Sequence, residues 1–300
     1  MNEYVGYLFC YFTGEENTLQ DEQVYFAVSK DGLHWVDLNE GKPILQSEVG
    51  ERGVRDPFIL RMEDKDKYII VATDLQMAKG KTWDEAVNKG STSLVIWESE
   101  DLIHWSAPRL FDTGVQGAGC AWAPEVIYDE VTQDYMIFWA AKTGIGIDRK
   151  HCIYCCRTTD FKKFTIPELY IEREEDIIDT TIIRANKKYY RFSKDECSKR
   201  IIMESSETLE KEHFVQCRPL GLEQLEGVEG PIIFKVLDEE KWYLLVDSYQ
   251  KGEGYLPLVT TDLDKGVFEV LPQDAYDFGR LKKRHGSVMY LTDEEWRRLQ

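Results

Sequence analysis

The chain has 300 residues, enough to bury a large core, and its 43% hydrophobic and 31% charged composition is that of a globular protein. A net charge of −18 argues against nucleic acid and anionic membrane as partners, disfavours polyanionic substrates, and leaves a neutral ligand as the better fit. No stretch approaches the roughly 20 apolar residues of a membrane span. The opening MNEYVGYLFCYFTGEE lacks a basic leader region, so YVGYLFCYF is expected to be a strand rather than a signal peptide. Seven Cys, an odd number in apolar settings such as LFCYF and YCC, fit reduced thiols and a cytoplasmic location better than a disulfide framework.

In chain order, strand patterns dominate: YVGYLFCYF, QVYFAVS, DPFILRM, KYIIVATD, SLVIWES, DYMIFWAA, CIYCCRT, DTTIIRA, KYYRFSK, PIIFKV, KWYLLVDSY and SVMYLT. Each is short, rich in β-branched or aromatic residues, and bounded by Gly, Asp, Asn or Lys. Helix patterns are confined to TWDEAVNK and the C-terminal DEEWRRLQ.

Two interleaved repeats organise these strands. The first is a small polar residue, an acidic turn and an aromatic: SKDGLHWVDL, SEDLIHWSAPRLF, TTDFKKFTIPELY, SSETLEKEHFVQC and TTDLDKGVFEVL. Its aromatics are Trp35, Trp105, Phe164, Phe214 and Phe268. The spacing of about 50 to 70 residues, with strands as content, is that of propeller blades. The second series, RDPFIL, WAPEVIY, IDTTII, VEGPIIF and RHGSVMY, precedes an aromatic-rich strand in each unit except the last. The N-terminal strands can supply that partner. The expectation is therefore an all-β, five-bladed β-propeller forming a single domain over residues 1–300. Blade five is shared between about 1–50 and 270–300, which closes the ring and removes free sheet edges.

The first strand of each blade lines the central funnel, so acids at its start converge on the axis. Asp56, Asp179 and Glu229, in RDP, IDT and EGP, are read as matched positions of blades one, three and four. Glycosidic bonds break through an oxocarbenium-like transition state that needs one group to protonate the leaving oxygen and another to activate water. Clustering raises a carboxyl pKa, which favours a general acid near neutral pH.

At GVRDPFI, CAWAPEVIYDE, DIIDTTII, GVEGPIIF and KRHGSV the chain resembles glycoside hydrolase family 43, inverting five-bladed propellers acting on arabinofuranosides and β-xylosides. The resemblance runs over essentially the whole chain. It implies Asp56 as general base, Asp179 as the carboxylate that tunes and orients the acid, and Glu229 as general acid. It also implies His285 as an axial histidine beside a water-coordinated calcium, with no cofactor required for the chemistry. Glu125 in WAPE corresponds to a scaffold position. Trp122 can stack on a sugar ring or pack in the core; Arg55 and Arg284 can bind sugar hydroxyls, balance the acids, or be buried between blades. The 76–90 insertion offers Trp83 as a platform, and the pocket is expected to be built by propeller loops.

The implied activity is exo-acting hydrolysis of terminal pentofuranosyl or xylosyl residues, as an α-L-arabinofuranosidase and/or β-xylosidase, on a neutral oligosaccharide or glycoside. A β-D-galactofuranosidase is an alternative. A retaining fructan-type propeller is another, although residues 1–50 lack the Asn-Asp-Pro motif it should carry. The alternative of a different class is a non-catalytic carbohydrate-binding propeller, which would tolerate loss of one of the three acids.

Overall fold

The computed structural model describes residues 4–14, 16–63 and 67–300; the first three residues of the N-terminal segment lie outside it. Strands β1 (Tyr4–Tyr11), β2 (Tyr25–Ser29) and β3 (Val36–Asp37) come first. Blade one follows as β4 (Val54–Arg61), β5 (Tyr68–Asp74), β6 (Ser93–Ser99) and β7 (Arg109–Asp112). Blade two is β8 (Trp122–Asp129), β9 (Asp134–Thr143), β10 (Lys150–Thr158) and β11 (Glu168–Ile171). Blade three is β12 (Ile177–Ala185), β13 (Lys188–Asp195), β14 (Arg200–Ser206) and β15 (Val215–Gln216). Blade four is β16 (Glu229–Lys235), β17 (Trp242–Asp247), β18 (Tyr255–Thr260) and β19 (Glu269–Val270). The last strand, β20 (Gly286–Thr292), pairs antiparallel with β1, giving a fifth sheet of order β20-β1-β2-β3. The all-β five-bladed propeller closed by both chain ends is thus the observed architecture.

The two expected helices are present as α1 (Trp83–Lys89) and α2 (Asp293–Leu299). Both begin with capping boxes, Thr82 with Glu85 and Thr292 with Glu295, which satisfy amide groups at the first turn. Glu295 also binds Arg61 and Tyr68, pinning the C-terminal helix to blade one. Ser287 Oγ accepts from the Ile59 amide at 2.8 Å, tying the innermost strands of blades five and one.

Blades stack face to face, so each central strand is apolar on both faces and loses simple alternation. β5 and β17 are buried along their whole length. Between successive blades lies an apolar layer. Leu8, Phe26, Ile70 and Trp97 fill the one between blades five and one; Ile69, Ile96, Ile137 and Trp139 fill that between blades one and two. Side chains of this size each contribute roughly 1.5–3 kcal/mol on full burial.

The polar-acidic-aromatic repeat is the turn between third and fourth strands. Asp31 Oδ1 accepts from the amides of Leu33 and His34, and Asp101 Oδ1 from Ile103 and His104. Trp35 and Trp105 return their indole N–H to the carbonyls of Gly32 and Leu102. β18 carries Pro257, a residue that favours an edge or a break in a strand. It is nevertheless an internal strand, with Pro257 opposite Leu245.

Candidate active site

The start of the innermost strand in blades one to four carries a local irregularity. Pairing of β4, β8, β12 and β16 with the next strand slips between Arg55 and Phe58, Trp122 and Glu125, Ile178 and Thr181, and Glu229 and Ile232. Within each slip one residue has positive φ: Asp56 (50°), Ala123 (48°), Asp179 (49°) and Gly230 (52°). The left-handed region is costly for residues with a Cβ, and Asp tolerates it better than most. The bulge re-aims the chain, so two successive side chains can reach the axis instead of alternating away from it.

This register corrects the expected equivalence of the three acids. Asp56 and Asp179 are equivalent, at the bulge itself. Glu229 stands one residue earlier, level with Arg55, Trp122 and Ile178, and its blade places Gly230 at the bulge. Gly230 is needed there for space as well: a Cβ would lie 2.9 Å from His285 Cγ.

All seven candidate residues line one cavity of about 600 Å³ at the mouth of the funnel. His285 is buried on the axis, its Nδ1 3.6 Å from Asp56 Oδ1 and 3.8 Å from Asp179 Oδ1. Asp56 Oδ2 accepts at 2.8 Å from the hydroxyl of Thr73, whose oxygen in turn accepts from the Ala123 amide at 2.8 Å. Because the Thr73 oxygen is taken up by that amide, its hydroxyl proton is directed at Asp56 Oδ2. Asp179 Oδ2 accepts from the Gly230 amide at 3.0 Å. Burial pushes the Asp179 carboxyl up to about 6; His285 and Lys194 pull against the rise, whereas Glu229 and Asp56 add to it.

Glu229 behaves oppositely. Burial favours its neutral form, but Lys194 and Arg284 outweigh burial and hold its pKa below the usual carboxylate value. Lys194 Nζ lies 2.8 Å from Oε2 and Arg284 Nη2 lies 2.8 Å from Oε1. The rise expected from clustering therefore falls on Asp179, because the two cations converge on Glu229.

The arginines are largely occupied by protein partners. Arg55 is buried, bonded at 2.9 Å to both Glu22 and Glu16, and lies over the rings of Phe12 and Trp83. Arg284 bridges Glu229 and Asp247. Trp122 is half-buried, stacks on His151 and meets Trp83 edge-on. Trp83, on α1, is 50% exposed at the rim, and the helix is seated by Leu75, Met77 and Ala86. Glu125 is buried below the pocket, with its pKa pushed well up by burial, and faces the cavity at the other end of the axis with Thr181 and Ser287.

Sequence reasoning does not single out Lys194, His151 and Asp176, which line the pocket, or Asp247, which holds Arg284. Thr73, Lys194 and Asp247 share a signal, as polar residues at the ends of otherwise apolar second strands, KYIIVATD, KYYRFSK and KWYLLVDSY. His151 and Asp176 left none, since their pairing joins different blades.

Among the described residues no group of three or more His, Cys, Asp or Glu side chains is arranged to hold a metal. Calcium takes six to eight oxygen ligands. The carboxylates beside His285 are Asp56 and Asp179, while Lys194 and Arg284 are engaged by Glu229.

The five-bladed propeller is a fold that glycoside hydrolases share. The chain belongs to the glycosyl hydrolase 43-related family, described as "Probable glycosyl hydrolase domain", whose model matches residues 2–297. An α-L-arabinofuranosidase of Bifidobacterium longum is 27% identical over 209 residues, which is 64% of this chain and 20% of that protein. The match thus spans about a fifth of the relative's length. Among solved structures, an exo-β-1,3-galactanase of Phanerochaete chrysosporium with β-1,3-galactotriose superposes with a TM-score of 0.60 at 10% identity, covering 95% of this chain and 67% of that one. The catalytic domain of a family 62 α-L-arabinofuranosidase of Coprinopsis cinerea gives 0.54 at 12% identity, covering 78% and 74%. These structural likenesses are of fold. No helix is long and apolar enough to cross a membrane among the described residues.

Proposed function

We propose that the protein is an inverting, exo-acting glycoside hydrolase that removes terminal pentofuranosyl or xylosyl residues from a neutral oligosaccharide or glycoside, as an α-L-arabinofuranosidase and/or β-xylosidase. The observation that carries this reading is the convergence of Asp56, Asp179 and Glu229 in one pocket, in three different electrostatic settings. Asp56, held as an acceptor by Thr73, takes a proton from water as the water oxygen bonds to the anomeric carbon. Glu229, acting from the minority protonated form that Lys194 and Arg284 leave it, gives its proton to the glycosidic oxygen as the old C–O bond breaks. Asp179 tunes and orients the acid. Proton exchange with solvent then restores both groups. Trp122 and Trp83 offer apolar faces for sugar rings at the inner wall and rim. His285 would stand beside a water-coordinated calcium, which would supply charge near the axis and take no part in the chemical step. The seven free thiols support a reducing, cytoplasmic setting.

A second reading, release of galactose from β-1,3-linked galactan, is favoured by the breadth of the fold match to the galactanase. Nitrophenyl α-L-arabinofuranoside, β-D-xyloside, β-D-galactofuranoside and β-D-galactopyranoside, with β-1,3-galactobiose alongside, separate the two. Proton resonance of the first anomer released should show inversion. Glu229→Gln should abolish hydrolysis with the fold intact; a fully active variant removes Glu229 from its role.

A further inference from the structure

Between blades two and three the pocket wall holds a histidine that the mechanism above does not use. His151, the second residue of β10, is 6% exposed and lines the cavity. Its Nδ1 lies 2.7 Å from Asp176 Oδ1, and the same oxygen accepts from the His151 backbone amide at 2.8 Å. The Trp122 indole stacks on the imidazole at 5.5 Å. Asp176 is also approached by Lys142 at 3.9 Å. This is a deliberately oriented ring, and its second nitrogen, Nε2, is buried with no hydrogen-bond partner. An orphaned polar atom in such a place costs about 1–3 kcal/mol.

The orientation defines what Nε2 can do. Burial lowers the His151 pKa against the opposing pull of Asp176, so the ring is neutral. A neutral ring that donates from Nδ1 to a carboxylate has its lone pair on Nε2, which must be an acceptor. A sugar hydroxyl is the natural donor. Its place in the reaction follows from the ring of blades. Blade two stands between the blades carrying Asp56 and Asp179 and is not a neighbour of the blade carrying Glu229, the acid that serves the leaving group.

We propose that His151, set by Asp176, is a specificity residue whose Nε2 accepts a hydroxyl of the sugar undergoing attack at its anomeric carbon, with that sugar lying on Trp122. A turn of the half-buried Trp122 indole on sugar binding opens Nε2 to the pocket. This rests on the reading of the pocket as a glycosidase site. The hydroxyl recognised makes the residue a discriminator between sugars that otherwise fit, because a buried acceptor left unpaired penalises the analogue lacking its donor.

Two variants separate the atoms. In His151→Asn the amide can replace Nδ1 toward Asp176 but nothing replaces Nε2; in His151→Gln the amide can replace Nε2. On the nitrophenyl glycoside that the wild type cleaves fastest, His151→Asn should lower kcat/KM by ~10- to 100-fold, and His151→Gln should recover part of the loss. Among monodeoxy analogues of that glycoside, one should be cleaved slowly by the wild type and lose nothing further in His151→Asn. Unchanged kcat/KM, or an equal further loss on the parent and every analogue, would overturn the assignment while leaving the hydrolase reading standing. Should the wild type cleave none of the glycosides, the hydrolase reading falls. The proposal is then read from tryptophan fluorescence on titration with L-arabinose, D-xylose and D-galactose. Weaker binding to His151→Asn than to wild type supports it; equal or absent binding sinks it.

Discussion

Replacing Lys194 by Met probes how Glu229 is governed. The Lys194 ammonium is 3% exposed and lies 2.8 Å from Glu229 Oε2 and 3.2 Å from Glu196. An opposite charge at this range depresses a carboxyl pKa by about 1–3 units. Met keeps most of the side-chain length and volume but removes the charge, leaving Arg284 on the other oxygen of Glu229. The Glu229 pKa should therefore rise. Since Glu229, as the proposed general acid, must be protonated to act, the alkaline limb of kcat/KM against pH should move up with it. Stability should fall as well, because one partner of a buried pair is lost, at a cost of about 3–5 kcal/mol when no other cation compensates and less here. The sign with pH is fixed by both partners. The lowered pKa of Glu229 stabilises the fold above its unfolded value near 4.3 and loses that contribution as pH falls through the folded value. The raised pKa of Lys194 stabilises below about 10.4 and is lost as pH rises through the folded value. The Tm gap between wild type and variant should thus be widest between these limits and narrow in acid. The assays are a pH-rate profile on the preferred aryl glycoside and thermal unfolding over the same buffers. An alkaline limb that stays in place would refute the assignment of Glu229 as the group that must carry the proton.

Two further outcomes rest on the same pocket. Gly230→Ala puts a Cβ 2.9 Å from His285 Cγ at a φ of +52°, so thermal unfolding should show a loss of about 2–4 kcal/mol and hydrolysis should fall with it as His285 is displaced. Treatment with EDTA should leave the hydrolytic rate unchanged; a loss restored by added calcium would show that an ion is needed after all.

The repeats made the fold legible. Five turn motifs carry their own hydrogen bonds, as at Asp31 and Asp101, so their chemistry is local and readable from neighbouring residues. The strand missing from the last repeat implied closure by the N-terminus, since a sheet edge left open is unfavourable. The outer strands β3, β15 and β19 are two residues long and leave no periodicity to read.

The candidate acids were legible too, because RDP, IDT and EGP recur at the starts of innermost strands. Their relation was not. Glu229 is offset by one residue from Asp56 and Asp179, and only the bulge explains how both positions reach the axis. Nor could spacing show which acid meets which cation. Lys194 reaches Glu229 from another blade, and Arg284 reaches it from the segment before β20, so Glu229 is held charged while Asp179 is pushed up to about 6. By itself the sequence determined the blades, their closure and the residues offered to the axis, all set by short-range turns and strand patterns. The charge on each carboxylate, the pairing of Arg55 with Glu22 and the idle nitrogen of His151 were decided by the tertiary structure, because electrostatics and hydrogen bonding depend on distances between blades.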